Sequence, residues 1–147
     1  MKERKIMSAE EYLRQITEAD ERVWKLETRV NNLRTLATDN AQYLNGPIGH
    51  GQTDYDKTGT LMAEICDAEQ ELAEARNADF RIREEVGRTI CRIENTDAQD
   101  VIFMRYMKGM KWDEIAAEKI FSVQRVYQLR RIGIEEMERV IFGFAKD

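Results

Sequence analysis

The chain has 147 residues and carries 23 lysines and arginines against 28 aspartates and glutamates, a net charge of −5. Charged residues make up 35% of it and the mean hydropathy is −0.63, but the 42% of hydrophobic residues recur at helical spacing, which excludes a disordered chain. The opening "MKERKIMSAEEY" lacks the apolar run of a signal peptide, and no stretch approaches the ~18 apolar residues of a membrane span. The expectation is a soluble, cytoplasmic protein made of one compact domain or two small modules.

The first predicted helix opens at "SAEE", where Ser8 and Glu11 fit a capping box. Ile16, Ala19, Val23, Leu26, Val30, Leu33 and Ala37 then step by three and four, a heptad seam. Residues 38–59 follow, with four glycines and the only proline, and read as a long loop. His50, the only histidine, lies there without cysteines nearby and is read as a loop residue.

A second long helix carries Leu61, Ile65, Ala68, Leu72, Ala75, Ile82, Val86 and Ile93 on one seam, with Asp79 and Thr89 as polar flaws. The two helices predict an antiparallel hairpin over residues 1–94. A hairpin buries little alone. Met62, Cys66, Ala73 and Phe80 form a second, weaker stripe, and Trp24 lies off the first seam, so a second copy is the simplest cover. The seam residues expected in self-association are Ile16, Val23, Leu26, Val30, Leu33, Ile65, Leu72, Ile82 and Val86, with a dimer favoured. A hairpin covered by the chain's own C-terminal segment is the alternative. Cys66 and Cys91 on one helix would lie roughly 37 Å apart, too far for a disulfide. Buried thiols in a reducing compartment are expected.

Residues 95–147 read as a separate module. Thr96 and Gln99 form a second candidate capping box ahead of a short helix reaching about Met107. Gly109 suits a left-handed stop. "WDEIAAEK" makes another short helix with acids in its first turn. Ser122 caps a longer helix from about Val123 to Phe142. On it Val126, Leu129, Gly133, Met137 and Val140 share a core face, with Ile115 and Ala116 facing them from the preceding helix. Phe142 is expected to point away from that face, onto the hairpin or a partner.

Short helix, tight turn and serine-capped helix follow the helix-turn-helix plan. The stretch "KIFSVQRVYQLRR" holds four bases and no acid inside an acidic chain. Gln124, Gln128 and Arg131 fall opposite the core face, flanked by Arg125 and Tyr127. A helix that reads base edges needs this arrangement, because Gln suits adenine and Arg suits guanine. The expected DNA-contacting residues are Lys119, Ser122, Gln124, Arg125, Tyr127, Gln128, Arg130 and Arg131. Residues 1–94 hold 14 bases and 19 acids, so the hairpin is expected to repel phosphate and to serve assembly.

The stretch "VIFMRYMKGMKWDEIAAEKIFSVQRVYQLRRIGIEEM" resembles region four of bacterial sigma factors. Arg105-Tyr106, Gly109, Glu114-Ile115-Ala116, Ser122 and Val126 carry the resemblance, which covers roughly the last third of the chain. With the helical part before it, the chain is similar to small sigma-region-four-like regulators of phages and prophages. The resemblance implies double-stranded DNA as partner and extends to contact with RNA polymerase. Three positions depart from it. Lys119-Ile120 stand where the family has Leu-Gly in the turn, and an isoleucine takes a left-handed conformation only at a cost, so a rebuilt turn is expected. Lys111 stands where Ser or Thr caps a helix, and Ile132 replaces an arginine.

The leading expectation is an all-α, sequence-specific DNA-binding regulator. A small terminase-like DNA-packaging subunit and a coiled-coil adaptor without DNA binding are the alternatives. No metal-ligand cluster, phosphate-cradling glycine loop or nucleophile with a histidine partner stands in the sequence, so neither an enzyme nor a cofactor is expected.

Overall fold

The structure, a computed structural model, describes residues 8–44 and 52–143. It is all-α, with no strand among the described residues. Among the described residues five α-helices run in order: α1 (Ala9–Leu44), α2 (Gln52–Ile90), α3 (Thr96–Ile102), α4 (Trp112–Lys119) and α5 (Val123–Phe142). A π-helical turn, Phe103–Met107, follows α3 directly. Helix occupies much of the segment expected as a loop, since α1 continues to Leu44 and α2 starts at Gln52. Extending an existing helix adds one hydrogen bond per residue fixed, which outweighs the weak propensity of Thr, Asp and Asn. His50 and Pro47 lie outside the described residues.

The chain divides into two compact units, Met1–Glu18 with Phe80–Asp147, and Ala19–Asp79. The division falls inside both long helices.

In the unit Ala19–Asp79, Val30, Ala68 and Leu72 are buried, with Val23, Leu26 and Leu33 packed against them. Ion pairs flank this strip: Glu27 with Arg76 at 3.3 Å, Arg29 with Glu71 at 4.0 Å, and Arg34 with Glu69. As the α1 partners step forward the α2 partners step back, so the two stretches run antiparallel. All these pairs are exposed and fix register more than they stabilise, at about 0.2–1 kcal/mol each. Trp24, Leu36 and Met62 stay exposed, as does Cys66.

The other unit has the larger core. Leu13 and Ile16 of α1 and Val86 and Ile90 of α2 are buried in one cluster with Val101 and Ile102 of α3, Ile115 of α4 and Val126, Leu129 and Met137 of α5. Thr89, a flaw in the seam by polarity, is matched: its hydroxyl shares a 3.0 Å hydrogen bond with the Tyr12 hydroxyl. Burial raises the Tyr12 pKa, the Thr89 bond only partly opposes this, and Glu85 adds to it. The nine expected self-association residues are thus buried or half-buried by packing within the chain. Phe80 is exposed. Cys91 is exposed as well, so neither cysteine is the buried thiol expected once a disulfide was excluded.

The caps explain where the helices stop. Ser8 Oγ accepts from the Glu11 N–H at 3.2 Å at the start of α1. Asn95, rather than Thr96, caps α3, its side chain accepting from the Ala98 N–H at 3.0 Å. Gln99 is drawn elsewhere. Its side-chain amide donates to the carbonyls of Ile90, Cys91 and Ile93, closing the end of α2, where carbonyls have no helical partner. Gly133, in the middle of α5, lets that helix close on α3: a Cβ there would stand 2.5 Å from Ile102 Cγ1.

Candidate nucleic-acid interface

The π-helical turn, α4 and α5 place the residues that sequence reasoning singled out. Gly109 takes φ +69° and ends the π-helical segment as expected. At Lys111, where no Ser or Thr stands, the Glu114 carboxylate accepts from the Lys111 backbone N–H at 3.2 Å, so α4 is started from its third residue. Helix α4 ends at Lys119 and Ile120 adopts the left-handed conformation, φ 60° and ψ 44°. The expected rebuilding of this turn does not occur. The N–H groups of Ile120 and Phe121 bond back to Ala117 and Ala116, a closure that requires a left-handed residue here whatever its side chain. Ser122 then caps α5, its Oγ accepting from the Arg125 N–H at 3.1 Å.

Helix α5 has two unlike faces. Val126, Leu129, Gly133 and Met137 are buried. Gln124, Arg125, Tyr127, Gln128 and Arg131 are exposed on the remainder of its first two to three turns. Arg125 donates to Gln128 Oε1 at 3.3 Å. Neither Arg125 nor Arg131 meets a carboxylate among the described residues. From Lys119 to Ile134 the chain carries no acid at all.

Two of the four expected basic contact residues are engaged in ion pairs within the fold. Lys119 pairs with Asp100 at 2.6 Å. That hydrogen bond outweighs partial burial and raises the Lys119 pKa. Arg130 pairs with Glu10 at 2.6 Å and lies over the Trp112 ring at 5.6 Å. Burial opposes its charge, but Tyr106 and Glu10 outweigh this and raise its pKa. The surplus charge of "KIFSVQRVYQLRR" is therefore carried outward by Arg125 and Arg131 alone.

Sequence reasoning missed Trp112. Its ring meets the Tyr127 ring at 5.5 Å and the Arg105 guanidinium at 4.7 Å. This tilted ring contact holds Tyr127, still 46% exposed, beside the polar face of α5. Arg105 was visible in the sequence only as part of the Arg105-Tyr106 match to a motif. Ile120 and Val123, at 90% and 43% exposure, were likewise missed as surface groups. Phe142, expected to point away from the core face of α5 and onto the hairpin or a partner, is half-buried.

These features define an all-α protein with a serine-capped helix whose open face bears donors and no acids. The chain belongs to a family described as "Protein of unknown function (DUF1492)", whose model matches residues 41–138, about two thirds of the chain. The match takes in all of α2, α3 and α4 and most of α5. No curated protein and no solved structure matches the chain. No helix among the described residues is long and apolar enough to cross a membrane.

Proposed function

We propose that the protein is a sequence-specific DNA-binding transcriptional regulator that lays α5 in the major groove, with α4 behind it as the supporting helix of a helix-turn-helix. One observation carries the reading. The exposed face of α5 from Gln124 to Arg131 presents amide and guanidinium donors with no carboxylate, while the opposite face is fully buried. Helix orientation is thereby fixed, and the side chains left outward are those that pair bidentately with adenine and guanine. Ser122 keeps the first turn of α5 formed, where base contacts of this kind are made. The resemblance of residues 101–137 to sigma region four supports the same reading and adds a phage or prophage setting and contact with RNA polymerase.

Self-association belongs to the proposal, because one recognition helix reads only a few base pairs and linking two raises the effective concentration of the second contact. The heptad residues are occupied by packing within the chain, so the surface offered to a second copy includes the exposed Trp24, Leu36 and Met62 instead.

Selection of bound duplexes from a random pool by the full chain tests the reading. Enrichment of a short motif, present once or as two spaced half-sites, is the expected result. A pool that stays random through successive rounds would overturn it.

A further inference from the structure

We infer that Ile120, Val123 and Tyr127 form an apolar edge that reads thymine 5-methyl groups, making the preferred site of this protein rich in A·T pairs. The inference rests on the proposal that α5 enters the major groove and goes beyond it by naming what is read.

Ile120 is the only non-glycine residue with positive φ among the described residues. A β-branched residue pays for that conformation, and glycine or asparagine would hold the same turn without the cost. Packing does not explain the choice, since Ile120 is 90% exposed and nothing covers it. A strained position whose side chain contributes nothing to the core points to use outside the fold. Three residues later Val123 begins α5, and Tyr127 lies one turn beyond it on the same side; both are large apolar groups left partly open. Tyr127 is held in place by the Trp112 ring.

Electrostatics and chemistry name the occupant. This edge lies in the acid-free segment, next to Gln124 and Gln128 in the same turns of α5. A hydrophobic partner protein would need no such exclusion of carboxylates, whereas a phosphate-flanked groove does. Within the major groove the one apolar feature is the thymine methyl, and the partner of thymine presents the N6 and N7 pair that a glutamine side chain meets bidentately. Glutamine beside an apolar edge thus suits A·T pairs as a unit.

The test titrates the wild-type full chain with its selected duplex and with duplexes in which one thymine at a time is replaced by uracil, which removes only the methyl. Ile120→Gly and Ile120→Asn, both compatible with the left-handed turn, are titrated alongside. The wild type should lose roughly fourfold in affinity at one or more positions, the effect of one buried methyl. Both variants should bind the thymine and uracil duplexes equally at a position where the wild type discriminates, and Ile120→Gly should melt at a higher temperature than the wild type. Equal wild-type affinity for thymine and uracil at every position would overturn the inference and leave DNA binding standing. Discrimination retained by both variants would remove Ile120 from it. Absence of binding to any duplex would overturn the DNA-binding proposal itself, and the inference with it.

Discussion

The unit Ala19–Asp79 and the unit that contains α5 are both built from α1 and α2, yet they hold together differently. The first closes on a thin strip around Val30, Ala68 and Leu72 and matches its arginines to carboxylates across the two helices. The second buries a cluster drawn from all five helices, and Arg125 and Arg131 of α5 meet no carboxylate among the described residues. The second unit also pairs Lys119 with Asp100 and Arg130 with Glu10, so the contrast rests on the two arginines at the open face of α5. A helix pair needs register, which exposed ion pairs supply at little energetic gain. A reading helix needs a rigid back and an unspent front.

The largest effect is expected from removing residues 1–94. Leu13, Ile16, Val86 and Ile90 are buried with α3–α5, and each brings about 1.5–3 kcal/mol of burial. Their sum is comparable with the whole stability of a small domain, about 5–15 kcal/mol. The fragment 95–147 should therefore show little cooperative melting by circular dichroism, and a well-folded fragment would show that α3–α5 need no help from the long helices.

Gly133→Ala comes next. The added methyl meets Ile102 and approaches the Ala98 carbonyl oxygen at 3.4 Å, so overpacking of about 1–3 kcal/mol should appear in denaturant melts. The same change at Gly87, whose Cβ would stand 3.7 Å from Met107 Cε, should be tolerated or stabilising.

Lys119→Met and Arg130→Met separate structural charge from the charge proposed for DNA. Each removes a short, partly buried ion pair, with Asp100 or Glu10, and should cost about 1–2 kcal/mol of stability. Affinity for the selected duplex should change by less than about twofold after correction for unfolded protein. A large affinity loss at unchanged stability would return these residues to the interface.

The smallest effect is expected from pH. Tyr12 and Lys119 both have pKa values raised in the fold, from 10.0 and 10.5. In each case the folded chain retains a proton that the unfolded chain releases above its own pKa, so stability falls as pH rises through that window. Melting temperature should be insensitive to these groups below about pH 10 and should decline above it. Thr89→Val, which removes the Tyr12 hydrogen-bond partner, should lower stability at neutral pH as well.

Local chemistry made much of the C-terminal part legible in the sequence. Trp112–Lys119 and Val123–Phe142 were readable because a serine cap, a glycine stop and a clear apolar period act within a few residues. The same locality hid the rest. Arg130 lies 120 residues from its partner Glu10, and no window of sequence shows that its charge is spent. Gln99 fitted a capping box by spacing, but its amide is taken by the carbonyls of Ile90, Cys91 and Ile93 at the end of α2 and in the turn that follows it. Ile120 broke the rule for left-handed turns, and the turn formed regardless, because the two backbone bonds that close α4 demand it. Residues 38–44 and 52–59 looked like loop by composition and are helix by propagation from long neighbours.

The open face of α5 is the central claim, and the salt dependence of binding tests it most directly. The full chain and its Arg125→Ala, Arg131→Ala variant would be titrated with the selected duplex at several salt concentrations, with circular dichroism melts on the same samples. Affinity of the wild type should fall steeply with salt, and the variant should bind at least tenfold more weakly at low salt, as expected from about 1–3 kcal/mol per lost bidentate contact. Its slope of log affinity against log salt should be shallower by about one to two, with an unchanged helical signal. Equal affinity and equal slope for the two proteins would contradict the assignment of α5 as the DNA-reading helix.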